Sequence, residues 1–320
     1  MRHFGLGFAI VVGSSACVVG CSRSGPPEAL ANAAPAGSSS GIAAAAASAS
    51  IKPPETFPVP KESVDAVLNP MGVPEYKGPT GSVEGTISVV GPPAPAVHVD
   101  TGKCPAAIDV YGKLFREGTP ATPNGPRALA DAVVVAVGWG NGFFIPDKRD
   151  AVRVTVGPNC AYPSRTIAIT YGQRLEVSNQ SDLLFAPVID QDPMPAVMVA
   201  PPKEAGDAVK LYPGKAGYFT MSDRMQPFVK EDLYVFRHPL HAVSDRDGHY
   251  RIDGIPVGTG ITIGASYAAL SAREKTTVEV KENVVAHADI TLTYKPAPPG
   301  GPANRAPDGG VIPPWRMPNE

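Results

Sequence analysis

Between Gly81 and Tyr294, apolar and polar residues alternate with a period of two. Val83, Ile87 and Val89 interleave with Ser82, Glu84, Thr86 and Ser88, a spacing that turns one face of a strand inward and leaves the other in water. The same alternation runs through Val152/Val154/Val156, Ile167/Ile169, Leu175/Val177, Leu233/Val235, Tyr250/Ile252, Val278/Val280 and Ile290/Leu292. Ala132 to Val137 is an unbroken apolar run of strand length, which predicts a strand covered on both faces. Turn formers separate the runs at Gly172-Gln173, Asp247-Gly248, Pro256-Val257-Gly258 and Glu282-Asn283. No stretch here sustains a 3.6-residue period, so the expected fold is all-β, built as sandwiches.

Outside this region the pattern disappears. The chain of 320 residues carries 33 Gly and 37 Pro, so its regular core must be shorter than its length. Residues 21–80, rich in Ala, Ser, Pro and Gly, read as a tether with too few large apolar side chains to offset the entropy of ordering. As a flexible coil it would span about 40 Å root-mean-square. Within it, Lys61 to Leu68 is expected to form a helical turn or two, ended by Asn69-Pro70. Residues 296–320 are again Pro/Gly-rich and read as a disordered tail, in which Trp315 is a stray ring rather than a docking motif.

The first residues have a different logic. Arg2 is followed by an apolar run from Phe4 to Val19, too short to span a bilayer comfortably and followed by small and polar residues. Residues 1–20 therefore read as a secretion signal. Val18-Val19-Gly20-Cys21 resembles a bacterial lipobox, which implies removal of the signal and diacylglycerol on the Cys21 thiol; an ordinary signal cleaved nearby is the alternative. Ser22 after the lipidated position resembles lipoproteins sorted to the outer membrane. The resemblance implies an exported protein held on a bacterial membrane by its lipid, facing the periplasm or the cell surface.

Formal net charge is −2, and removal of Arg2 with the signal makes it −3. With no Lys/Arg cluster, nucleic acid is not an expected partner. Of four cysteines, Cys17 lies in the signal and Cys21 is the lipid site, leaving Cys104 and Cys160. An even pair in an oxidising compartment suggests a disulfide. Two buried thiols are the alternative.

The run from His241 to Gly258 holds Asp245-Arg-Asp247-Gly248, then Tyr250, Ile252 and Ile255-Pro256-Val257-Gly258. It resembles the hallmark of carboxypeptidase regulatory-like (transthyretin-like) β-sandwiches, and Gly81-Ser-Val-Glu-Gly-Thr-Ile-Ser-Val is similar to that module's first strand. Cys160-Ala-Tyr-Pro163 followed by Tyr171-Gly-Gln-Arg-Leu-Glu-Val-Ser-Asn179 is similar to cupredoxin-like domains. Together they resemble bacterial exported proteins that join the two modules. The resemblance implies a regulatory-like sandwich over residues 81–140 plus 239–294 and a cupredoxin-like one over 150–238. Nesting is expected because the resembled edge strands lie far apart in sequence.

Copper-binding relatives of such modules carry a His after the position of Asn179, then Cys, His and Met on one loop before the His-Pro matching His238-Pro239. Thiolate and imidazoles form a trigonal plane around copper, with the thioether as axial ligand. This chain places Phe185, Asp223, Gln226 and Val229 there, so every ligand is replaced. Met221 and Met225 lie nearby and read as core filler. The expectation is no metal and no cofactor; the alternative is a copper electron-transfer protein with an atypical site around Met221, Asp223, Met225, His238 and His241.

Other candidates are ordinary on inspection. His238, His241 and His249 invite a zinc reading, but strand residues three apart face opposite ways and Pro239 breaks a helix. Asp245, Asp247 and Gly248 fit a hairpin turn rather than a calcium loop, lacking the twelfth-position Glu. Asp190 and Asp192 read as turn formers beside Pro193, with nothing to place them across a sugar bond. Trp139, Phe143 and Phe144, in a Gly-rich loop, are candidate binding aromatics for a sugar or partner, or else the plug of a sandwich end. No nucleophile, metalloprotease or phosphate-loop motif occurs. The expected role is non-enzymatic: an anchored binding or structural module with an envelope protein or glycan as partner.

Overall fold

The computed structural model describes residues 59–191 and 198–296. The signal 1–20, the lipid site Cys21, the tether up to residue 58, Asp192 and the tail from residue 297, Trp315 included, lie outside the described residues. In chain order the elements begin with α1 (Lys61–Leu68), β1 (Thr80–Val90), α2 (Ile108–Tyr111), β2 (Arg127–Ala128), β3 (Val133–Val137), β4 (Ala151–Val156), β5 (Thr166–Thr170) and β6 (Arg174–Asn179). They continue with β7 (Pro187–Ile189), β8 (Val209–Leu211), β9 (Gly217–Asp223), β10 (Lys230–Phe236) and β11 (His241–Val243). The last are β12 (His249–Pro256), β13 (Gly258–Tyr267), β14 (Ala272–Val280), β15 (Val285–His287) and β16 (Ile290–Thr293). The protein is all-β with β-sandwich packing.

Among the described residues, four sheets make two cores. β1 pairs antiparallel with β12 and β2 and parallel with β15 and β16, while β11, β3, β13 and β14 form a second sheet in that order. Between them lies the first core: Val83, Ile87 and Val89 meet Val134, Ala136, Ile261, Ile263 and Leu292. β5, β10, β9 and β7 form a third sheet and β4, β6 and β8 a fourth. They enclose the second core, in which Ile167, Ile169, Leu175, Val177, Phe219, Leu233 and Val235 alternate inward from their strands.

The apolar run at β3 behaves as its composition requires. Ala132 through Ala136 are all buried, with Val134 and Ala136 entering the first core. The Asp247-Gly248 turn also forms. Asp245 Oδ1 accepts the N–H groups of Asp247 and His249 at 2.9 Å, and Gly248 takes the left-handed φ of +78° that a tight hairpin demands.

Two segments depart from expectation. Residues 59–80 were expected to belong to the tether, yet α1 lays Val64, Val67 and Leu68 on the second core. The i, i+3, i+4 spacing of these residues gives a short helix one apolar side, enough to dock it. Residues 104–111 lie within the stretch assigned to the first sandwich, yet Cys104, Ala107, Val110 and Tyr111 are buried in the second core. The Cys104–Cys160 disulfide, with Cα atoms 6.0 Å apart, carries them across.

The docking of α1 depends on Gly172. At φ +92° in the turn between β5 and β6, it leaves no room for a side chain: a Cβ there would stand 2.6 Å from Val64 Cγ1. Gly172→Ala is expected to push α1 off the sheet and cost about 2 kcal/mol, read as a lower Tm together with faster proteolysis around residues 59–68. An unchanged Tm would show that this contact does not hold the helix.

Candidate functional site

Phe185, Asp223, Gln226 and Val229, which the sequence resemblance sets against copper ligands, come together at one end of the second sandwich. Phe185 lies on the loop joining β6 to β7, Asp223 closes β9, and Gln226 and Val229 lie on the loop from β9 to β10. Phe185 is fully buried and pairs its backbone with Ala200, through N–H···O contacts of 3.2 and 2.8 Å. Asp223, also buried, accepts the Ala186 N–H at 2.7 Å and those of Met225 and Gln226 at 2.9 Å. Burial pushes this carboxyl upward, opposed by the three amide donors. Gln226 Nε2 donates to the Leu184 carbonyl at 3.0 Å, and Val229 is buried beneath. The ring, carboxylate, amide and isopropyl groups thus act as packing and loop braces, and offer neither thiolate nor imidazole.

Asn179 completes the brace. Its Nδ2 donates to the carbonyls of Leu183 at 2.7 Å and Ala200 at 3.0 Å, while Oδ1 accepts the Ser181 N–H at 2.9 Å. Nearby, Met221 points into the second core, whereas Met225 is half exposed. Asp190 anchors its loop by accepting from Ser222 Oγ at 2.6 Å.

His238 and His241 lie beyond the other end of β10. Seven strand residues separate that end from Asp223, about 20 Å of rise. His238 Nδ1 accepts the Leu240 N–H at 3.2 Å, and burial holds its imidazole down at about 4. His241 stacks on Phe236 with centroids 4.8 Å apart, and burial, with His238 next in weight, holds it down at about 3. Thr170 Oγ1 lies 3.2 Å from His241 Nε2 and donates to Asp147 at 2.7 Å. Both rings are neutral at physiological pH and part of an aromatic row, since Tyr218, Tyr234 and Phe236 succeed one another at 5.1 and 6.1 Å. His249 is elsewhere, exposed on β12 beside Thr86. Among the described residues no three His, Cys, Asp or Glu side chains are grouped to hold a metal ion.

The loop aromatics each find a different neighbour. Trp139 packs edge-on against His238, centroids 5.0 Å apart, and rests on the first core. Phe143 contacts the Tyr76 ring at 4.3 Å. Phe144 pairs its backbone with Pro74 and Tyr76 and lines a shallow cleft of about 380 Å³ with Lys61, Asp65 and Asn69. All three rings are half-buried.

A polar seam between the two cores was not among the sequence candidates. Asp131, fully buried at φ +67°, accepts from Arg116 Nε at 2.7 Å and again from Arg116 Nη2, from Ser164 Oγ at 2.8 Å and from the Arg165 N–H at 3.0 Å. Arg165 donates onward to the carbonyls of Lys113 and Leu114. Glu231, 1% exposed, accepts from the Tyr111 hydroxyl. Burial pushes the carboxyls of Glu231 and Asp232 upward. The one available signal was polarity out of place: Asp131 interrupts Leu129-Ala130-Asp131-Ala132-Val133, and Glu231-Asp232 opens an apolar strand.

The fold and the braced loops define an all-β, sandwich-class protein. No protein-family profile matches the chain, and no curated protein sequence matches it. Solved structures, cupredoxins among them, give a weak likeness over about a quarter of the chain. Amicyanin from Paracoccus versutus (Thiobacillus versutus) is 15% identical, over 27% of this chain and 81% of its own, at a TM-score of 0.23. A purple cupredoxin from Nitrosopumilus maritimus is 13% identical over 26% and 97%, at 0.22. A mutant plastocyanin of fern is 19% identical over 26% and 99%, also at 0.22.

Proposed function

We propose that this chain is a non-enzymatic, lipid-anchored cell-envelope protein whose β-sandwiches serve as a binding or structural module for a protein or glycan partner. One observation carries the metal-free part of this reading: Phe185, Asp223, Gln226 and Val229 stand at the resembled copper positions and are committed to packing and backbone hydrogen bonds. The anchored part rests on the lipobox resemblance ending at Cys21, with Ser22 favouring the outer membrane. The resemblance to a carboxypeptidase regulatory-like module is supported by the Asp245–Gly248 hairpin turn and by the inward-facing Tyr250 and Ile252.

Two measurements test it. Metal analysis of aerobically purified protein is expected to give far less than one copper per chain and no visible absorbance. Stoichiometric copper with a coloured band would overturn this reading in favour of electron transfer. Mass spectrometry of the mature N-terminus is expected to find a diacylated Cys21, and an unmodified N-terminus downstream of it would remove the anchor.

A further inference from the structure

The buried side-chain polar atoms without a hydrogen-bond partner among the described residues are Arg116 Nη1, Tyr162 Oη, Arg165 Nε, Thr166 Oγ1 and Glu231 Oε2. They gather in one region. Three belong to the run 162–166, Arg116 donates to the Pro163 carbonyl inside that run, and Glu231 adjoins Asp232, whose N–H is accepted by the Arg165 carbonyl. The Tyr162 N–H also donates at 3.5 Å to the Tyr111 hydroxyl, which itself donates to Glu231. Native interiors leave few such groups unserved, and a local concentration of them calls for a bound species.

The chemistry of the set selects that species. Two guanidinium groups, Arg116 and Arg165, repel a metal cation. Three carboxyl groups, Asp131, Glu231 and Asp232, disfavour an anion. Charge balance also assigns a proton: against two guanidinium charges, Asp131 and one further carboxylate suffice, and Glu231, the more deeply buried, is the neutral acid. What remains is a mixture of N–H donors, hydroxyls and a carboxyl group. A small neutral molecule that both donates and accepts satisfies it.

We propose that the seam between the two sandwiches is a hydration site, holding at least one long-lived internal water bound by Tyr162 Oη and Glu231 Oε2. The water is a structural ligand. It completes hydrogen bonds where the disulfide-bound segment 104–111 meets the second core, a place that side chains alone leave unserved.

Tyr162→Phe removes a single oxygen and separates the two possibilities. A hydroxyl with no partner in a protein interior is a liability, so deleting it would stabilise; a water-bound hydroxyl contributes, so deleting it destabilises. The expected result is an unfolding equilibrium constant raised about tenfold, with the count of long-lived waters from magnetic relaxation dispersion reduced by at least one. An unmodified protein with no long-lived water, or a variant with the same count, would overturn the proposal whatever its stability.

Discussion

Replacing Cys104 and Cys160 by serine is expected to lower the free energy of unfolding by about 4 kcal/mol, the chain-entropy value for a loop closed across a sequence separation of 56. The bond does more than shorten the unfolded chain. It fastens α2 and the turn before it to a core whose strands all lie well downstream, and Tyr111 reaches Glu231 from there. Denaturant unfolding of the double variant against the parent checks the magnitude, and hydrogen exchange in residues 104–111 should rise before global unfolding does. Equal stability under oxidising and reducing conditions would refute the expectation.

The second large effect is expected at Asp131. Its carboxylate holds Arg116 by two contacts and also takes Ser164 and the Arg165 amide, so two separate segments converge on one buried anion. Asp131→Ala leaves the Arg116 guanidinium in the interior without its counter-charge. The cost of such a broken buried pair is about 3–5 kcal/mol, enough to threaten folding of a domain of ordinary stability. Asp131→Asn keeps a side chain that tolerates the left-handed backbone at this position, and so isolates the charge from the conformation. A loss below about 1 kcal/mol for the alanine variant, by denaturant titration, would mean that Arg116 finds another partner.

The strands were legible because burial and period coincide. Val83, Ile87 and Val89 face the first core in the alternation that the sequence displays, and Leu233 and Val235 do the same in the second. The turn at Asp247-Gly248 was legible from its residues, since few others accept that backbone. Partner choice was not. A period of two says which face of β1 is inward, but nothing about whether β15 and β16 join it parallel, as they do. The docking of α1 escaped because eight residues of mild amphipathicity cannot sustain a helix alone, and the apolar surface beneath them comes from residues far along the chain.

The candidate site was read from side-chain identity alone: Phe185, Asp223, Gln226 and Val229 stand where the resemblance sets His, Cys, His and Met. The seam was legible only in part. Asp131 and Glu231 stand out as polarity beside apolar runs, but Arg116 and Arg165 are of a charged type usually found at surfaces, and nothing in the sequence says that folding brings the four together.

The adjacency of β1 and β16 bears on how the molecule would take load. These strands run parallel, Ile87 beside Ile290 through Val90 beside Thr293, so the chain enters β1 at one end of the pair and leaves β16 at the other. Tension drawing the two flanks apart therefore slides one strand along the other, straining their hydrogen bonds together instead of peeling them singly. The strands of the second sandwich, inserted between residues 138–150 and 237–240, branch off this line, and the pull reaches that sandwich directly only through α1, which precedes β1 and rests on its core.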